Sequence, residues 1–339
     1  MINQQAGGNP MPQEITKPTP LLKENGSTVV GWASSNLLDY NKIDCAAPSA
    51  RIKEWDRYTV VSPDCAVTLS IADLGNLGYV FASLTDFTQK PCRTFSQTIT
   101  KAYPRGRMSL PLSARSGDTT YTSKQVGMRF SRSAKSRFLN CEYVNFCEGK
   151  TLYLNLSLDE PDRYAIASAD DFGGKKGCFS YRYQVSYMPA SGVIRYGGAE
   201  YSFRPESSFG TLSWCRGVFP TRAGFTSATL VGQVKQVPFA LFAGGPLESA
   251  LYYGDQFYKL DEVNVFPEEN GSWQFRFPQS GSRLEMSVLQ KNEVRSSFLM
   301  NFCRHEQVFG SFSGELSVPG RKLSLDHISG FTEQFESRL

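Results

Sequence analysis

Histidine is the scarcest reactive residue in this chain: His305 and His327 are the only two among 339 residues. Zinc sites need short paired spacings of His or Cys. None occurs, so neither a metal nor another cofactor is expected. Charge of one sign is lacking as well. The 36 basic residues face 32 acidic ones, a net of +4, too weak and too mixed to argue for nucleic acid, and no recognisable reading module is found. No apolar run approaches the roughly 18 residues of a membrane helix. The opening MINQQAGGNPMPQE has no apolar segment of a secretory leader. The eight cysteines include no CxxC pair, and a chain of this length needs no disulfide staples. Reduced thiols and a cytoplasmic location are therefore expected. Helical stripes are nearly missing. Only PLESALYYGDQFYKL, residues 246–260, admits a short helical turn.

What the chain does have is aromatic residues, glycine and alternation. There are 24 Phe, 16 Tyr and 29 Gly. Aromatics suit half-buried pleated surfaces and lined cavities. In TLYLNLSL, Leu152, Leu154, Leu156 and Leu158 share one face, and Thr151, Tyr153, Asn155 and Ser157 the other, which is a strand with one apolar side. YRYQVSYM alternates too. EVNVFPEENGSWQFRF reads as two strands about Asn270-Gly271, and SRLEMSVL as another. The class is mainly antiparallel β.

SGVIRYGGAEYSF begins at Ser191 and SGELSVPGRKLSL at Ser313. Each has Ser-Gly, a second glycine six residues on (Gly192 to Gly198, Gly314 to Gly320), then an alternating strand. The shared offset suggests two copies of one β unit. We expect a mobile polar tail over 1–26, a first β-barrel domain over 27–212 and a second over 213–339. The stretch SWCRGVFPTR, 213–222, reads as the corner between them.

Five motifs occur in the order of a bacterial family: GWA at 31–33, IKEWDRYTVV from Ile52, WCRGVFP from Trp214, EQVFGSFSGEL from Glu306 and GFTEQF from Gly330. On these the chain resembles the domain of unknown function 2804 family, from about residue 28 onward. That family looks remotely similar to the two-barrel, lipocalin-like group of carotenoid hydratases, tocopherol cyclases and pericyclase-like enzymes. The resemblance implies two tandem lipocalin-like (calycin-type) antiparallel β-barrels or half-barrels; fold kinship alone supplies no reaction. The chain departs from the family pattern at Ser213 (usually Asp), Thr221 (Tyr), Phe225 (where a Trp is common nearby), Ser311 (Arg) and Leu339 (an aromatic). The hydratase-like relatives carry an acid near the position of Ser213, and its loss weakens acid catalysis there.

Trp214 and Arg216 are candidate ligand contacts, since a guanidinium among aromatics can hold a carboxylate, phosphate or carbonyl. The alternative is an arginine that ties strand ends or stacks on a ring. In KEWDRY, extended backbone puts Glu54, Asp56 and Tyr58 on one face and Trp55 and Arg57 on the other. Trp55 and Tyr58 are therefore candidate ligand contacts, and Glu54 and Asp56 a candidate acid/base pair, with salt bridges as the alternative. His305 is a third acid/base candidate, and Asp73 a weaker one. The basic run from Lys101 to Arg137 reads as a solvated face, with anion or peripheral membrane contact as the alternative. No GxSxG elbow marks a nucleophile.

A closed barrel of about eight strands can enclose one small ligand. The expected function is binding of a hydrophobic or lipid-like small molecule in a barrel or between barrels. The alternatives are an enzyme that hydrates, cyclises or isomerises an apolar isoprenoid or fatty substrate, and a scaffold with filled barrels.

Overall fold

The structure is a computed structural model that describes residues 13–298 and 301–338. The departure at Leu339 and the first part of the expected tail, 1–12, lie outside the described residues. Residues 13–26 are not a loose tail. Ile15 and Leu21 are buried in the first core, and the Ile15 amide donates to the Trp32 carbonyl at 2.7 Å. Two apolar side chains in a polar stretch were enough to anchor it.

The first sheet contains β1 (Ile52–Val61), β2 (Cys65–Asp73), β3 (Leu77–Asp86), β4 (Arg93–Ala102), β5 (Thr119–Thr122), β6 (Val126–Ser133), β7 (Ser136–Cys147), β8 (Lys150–Asp159), β9 (Phe179–Tyr196) and β10 (Phe209–Val218). Its spatial order is β4-β3-β2-β1-β10-β9-β8-β7-β6-β5, with short side strands at Gly31–Ala33, Ala165–Asp170 and Ala199–Phe203. The second sheet contains β11 (Arg222–Val234), β12 (Val237–Ala243), β13 (Ala250–Tyr253), β14 (Gln256–Lys259), β15 (Asn264–Pro267), β16 (Trp273–Phe277), β17 (Ser282–Phe298), β18 (Asn301–Val318) and β19 (Arg321–Arg338). Its order is β14-β13-β12-β11-β19-β18-β17-β16-β15.

The two orders are the same path. Each sheet starts in its own middle, meanders to one edge, crosses to the other edge and meanders back until its last strand pairs with its first. Each curls into a half-barrel. The echo at Ser191 and Ser313 falls on equivalent strands, β9 and β18. Gly192 lies opposite Leu156 of β8, and Gly314 opposite Leu284 of β17. Both have left-handed backbone, φ +127° and +136°. A Cβ would sit 2.2 Å from the Asn155 carbonyl oxygen at the first and 2.5 Å from the Arg283 carbonyl oxygen at the second. Gly192→Ala and Gly314→Ala are each expected to cost about 1–3 kcal/mol through backbone strain, read as a lowered urea midpoint with unchanged slope.

Alternation governs the outer strands. On β8 the four leucines are buried while Tyr153 and Asn155 are exposed. β1 breaks the pattern, since all ten of its residues are buried, Lys53, Glu54, Asp56 and Arg57 included. Its even-numbered side chains (Ile52, Tyr58, Val60) join the first half-barrel's core, and Trp55 and Val61 pack against the second sheet. β1 is thus the central wall between the half-barrels.

Two local expectations change. Residues 246–260 form no helix but the hairpin β13–β14, turning at Gly254 with φ +56°. The Asn270-Gly271 hairpin forms, but over 268–272. Only Gly271 takes positive φ, and the Asn270 side chain accepts from the Ser272 amide at 2.9 Å. β10 carries Ser213 to Val218 inside the first sheet, so the change of sheet falls at 219–221. All eight cysteines are free.

Candidate functional site

The two faces of β1 build two different polar clusters. On the inner face, register places Glu54 opposite Arg216 and Asp56 opposite Trp214. Arg216 is 0% exposed. Its Nη1 lies 2.8 Å from Asp56 Oδ1 and donates to the carbonyls of Trp55 (3.0 Å) and Cys215 (2.8 Å). Its Nη2 donates to the Pro111 carbonyl at 2.7 Å, and its Nε lies 3.6 Å from Glu54 Oε1. The guanidinium stacks 4.2 Å from the Trp214 ring centre. Lys42 Nζ reaches Glu54 at 2.5 Å, and the Thr119 hydroxyl donates to Asp56. Tyr58 receives Arg137 Nη1 at 2.9 Å, and Arg137 pairs with Glu160 at 2.8 Å. Burial alone would raise the Glu160 carboxyl, but Arg137 and Arg132 outweigh it and hold it low. Thus Glu54, Asp56, Tyr58, Trp214 and Arg216 all share one enclosure inside the first half-barrel.

Trp55 and His305 lie on the other side, where the half-barrels meet. Arg57 is the centre of that cluster. Its Nη1 lies 2.7 Å from His305 Nε2 and donates to Glu333 Oε1 at 3.1 Å, and its Nη2 donates to the Tyr79 hydroxyl at 3.2 Å. His305 Nε2 and Glu333 Oε1 are 3.0 Å apart. Burial and the Arg57 cation lower the His305 pKa and keep its ring neutral at pH 7. Burial would raise Glu333, but His305 and Arg57 pull it down to about 2. Burial raises the Tyr79 hydroxyl. Trp55 stacks on Phe219 with ring centres 5.7 Å apart and meets Phe335 at 5.9 Å. A neutral ladder continues the cluster: Thr68 donates to Gln307 Oε1 at 2.8 Å, and Gln307 Nε2 donates to Thr59 at 3.2 Å. Two very small cavities, each about 10 Å³ and so room for one water at most, flank Arg57. One reaches Ser213, Thr229, Phe331 and Glu333, the other Tyr79, Val294, Cys303 and His305.

Glu333 and Tyr79 were not singled out from the sequence. Glu333 stands inside the motif GFTEQF, flanked at two-residue spacing by Phe331 and Phe335, so a carboxylate on a buried face was readable there. Tyr79 carries no such sign.

Elsewhere the candidates are tied up. Asp73 accepts from the amides of Gly75 (2.8 Å) and Gly106 (2.5 Å), fixing a loop. In the basic run, Arg129 pairs with Asp118, and Arg132 and Arg137 with Glu160. The mouth of the second half-barrel is an open groove lined by Phe257, Leu260, Phe277 and Val318. Burial lowers its Lys259 to about 8, and the ammonium protons go to the carbonyls of Pro246, Ser249 and Leu260. Among the described residues, no group of three or more His, Cys, Asp or Glu side chains could hold a metal ion, and no helix is long and apolar enough to cross a membrane.

Two curled antiparallel sheets of the same path, joined back to back through β1, define an antiparallel β protein of two half-barrels. The chain belongs to the family described as Domain of unknown function (DUF2804), whose model matches residues 12–339. Among solved structures it is similar to kievitone hydratase from Nectria haematococca, at 12% identity and a TM-score of 0.46, over 89% of this chain and 96% of that one. It is also similar to a candidate AttH from Nitrosomonas europaea, at 12% identity and a TM-score of 0.49, over 84% of this chain and 92% of that one. No curated protein matches it.

Proposed function

We propose that the protein binds a small, mostly apolar molecule between its two half-barrels, with the molecule's polar group received by Arg57, His305 and Glu333. The observation that carries this reading is the Arg57–Tyr79–His305–Glu333 cluster, buried between the sheets beside the aromatic group of Trp55, Phe219 and Phe335, with a water-sized cavity on each flank. A seam that served only to join the sheets would be held as well by apolar side chains of similar volume. Acids and bases with displaced pKa values in an enclosed space are what a binding or reaction site needs. Arg57 Nε is buried without a partner, which leaves a donor free for a ligand. A ligand larger than a water requires the side chains of the seam to move apart on binding.

A second reading, hydration, cyclisation or isomerisation of an apolar isoprenoid or fatty substrate, is favoured by one feature. The neutral His305 ring can take a proton, and the ionised Glu333 beside it would stabilise the imidazolium. Free thiols, five of them buried, support a cytoplasmic location for either activity.

Native mass spectrometry of gently purified protein tests the binding. A co-purifying lipid-sized mass is expected, and His305→Gln should reduce its occupancy. A clean unliganded mass, with no binding across a panel of fatty and isoprenoid compounds, would sink this reading and leave the scaffold one.

A further inference from the structure

The inner cluster of the first half-barrel is not used by the site between the half-barrels, and it holds donors that are unmet or poorly met. Trp214 is 2% exposed and its Nε1 has no partner; Tyr40 is 8% exposed and its hydroxyl meets no oxygen or nitrogen acceptor, only the Cys45 thiol. The Cys45 thiol beside Tyr40 is only a weak acceptor. The two rings are close, with centres 6.4 Å apart, and Tyr181 lies against Trp214 at 5.2 Å. A buried donor without an acceptor costs free energy, so native proteins seldom keep one without a ligand or water to meet it.

The carboxylates nearest these donors already have their cations: Glu54 pairs with Lys42, Asp56 with Arg216, and Glu160 with Arg132 and Arg137. A charged guest would upset that pairing in an enclosed space, whereas an uncharged oxygen would complete the hydrogen bonding.

The segment 103–118, which connects β4 to β5 across the open side of the half-barrel, covers this space. Its Met108 is 1% exposed within the core. It lies by Gly78, whose cross-strand row runs on through Asp73 and Glu54 to Arg216. The segment's carbonyls at Pro111 and Ala114 accept from Arg216 (2.7 Å) and Arg137 (2.8 Å). Three of its residues other than glycine hold positive φ: Tyr103 (49°), Arg105 (49°) and Ser109 (52°). Such backbone persists only while its surroundings impose it. The segment is a strained strap pinned to two buried arginines, with a flexible methionine as its plug.

We propose that the first half-barrel encloses a second ligand site, closed by the strap 103–118, for an uncharged apolar molecule whose carbonyl or hydroxyl oxygen accepts from Trp214 Nε1 and the Tyr40 hydroxyl. The ligand takes the place of Met108, and the strap lifts to admit it.

Calorimetric titration of the full chain with 2-dodecanone, and with laurate as the chain-matched carboxylate, tests this. The ketone should bind, and laurate at least about 10-fold more weakly. Tyr40→Phe removes only a poorly met buried hydroxyl, so the urea midpoint should hold or rise while ketone affinity falls about 3- to 10-fold. Trp214→Phe should lower it similarly. Amides of 103–118 should exchange faster with the ketone present. Failure of the ketone to bind, or unchanged affinity in Tyr40→Phe and Trp214→Phe, overturns the site. So does a ketone-soaked crystal with water on Trp214 Nε1 and the strap in place. Ketone binding lost in His305→Gln but kept in Tyr40→Phe would move the ligand to the space between the half-barrels, and this proposal would fail while the other stood.

Discussion

Glu333→Ala is expected to cost about 3–5 kcal/mol of unfolding free energy at pH 7, because it leaves Arg57 as a buried cation with no countercharge. His305 is held neutral and Tyr79 is a phenol, so neither can replace the carboxylate. Glu333→Gln keeps the shape and one acceptor, and should lose less. Replacing Arg57 and Glu333 together by methionine should recover much of the loss, since the cost lies in the orphaned charge and not in the missing pair. Urea unfolding of the three variants decides it. A loss below about 1 kcal/mol for Glu333→Ala would mean that water reaches Arg57 and that the seam is not closed.

The same cluster makes stability depend on pH in a set direction. The folded His305 pKa lies below its ordinary 6.5, so the unfolded chain takes up a proton first as pH falls. The stability that His305 contributes is full above about pH 6.5 and declines below it. Glu333 is depressed from 4.5 to about 2, so its share is full above 4.5 and is lost as pH falls towards 2. A shift of that size corresponds to about 3 kcal/mol. In Glu333→Gln the lower part of the decline should vanish, and the variant and the parent should converge in stability near pH 2.

How much of this was legible follows from period two. On β8 a polar and an apolar face alternate without exception, and the sequence alone assigns the strand and its buried side. The echo of Gly192 and Gly314 was readable for the same reason: two glycines at matching places need the same backbone and the same absence of a Cβ. The faces of KEWDRY were readable too, and the structure puts Glu54, Asp56 and Tyr58 together inside the first half-barrel. What they meet was not. Arg137 and Glu160 lie about eighty residues or more along the chain from β1, and no local pattern announces a pairing set by strand order. The Arg57–His305–Glu333 cluster is hidden for a further reason. It spans two sheets, and alternation within one strand says nothing about which other sheet covers its second face. The one available sign was that β1 keeps four charged residues in a segment too apolar and aromatic to stand at a surface. The helical turn at 246–260 failed because Leu251 and Tyr253 read equally well in either periodicity, while Gly254 decides for the hairpin.

Arg216 is the second residue whose loss should be severe. Arg216→Met removes the donors to the carbonyls of Trp55, Cys215 and Pro111 and the cation beside Asp56 and Glu54. Glu54 keeps Lys42, but Asp56 keeps only the Thr119 hydroxyl. A buried carboxylate so exposed to its own desolvation should cost about 3–5 kcal/mol. Arg216→Lys restores the charge without the planar fork. One ammonium cannot reach Asp56 and the Pro111 carbonyl together while stacking on Trp214, so it should recover only part. Adding Asp56→Asn to Arg216→Met removes the orphaned charge, and the double variant should be more stable than Arg216→Met alone by about 1–3 kcal/mol. That order, parent above Arg216→Lys above Arg216→Met, with Asp56→Asn rescuing the last, belongs to a buried ion network. Equal losses in Arg216→Lys and Arg216→Met, with no rescue, would mean that the arginine acts through its packing on Trp214 and not through its charge.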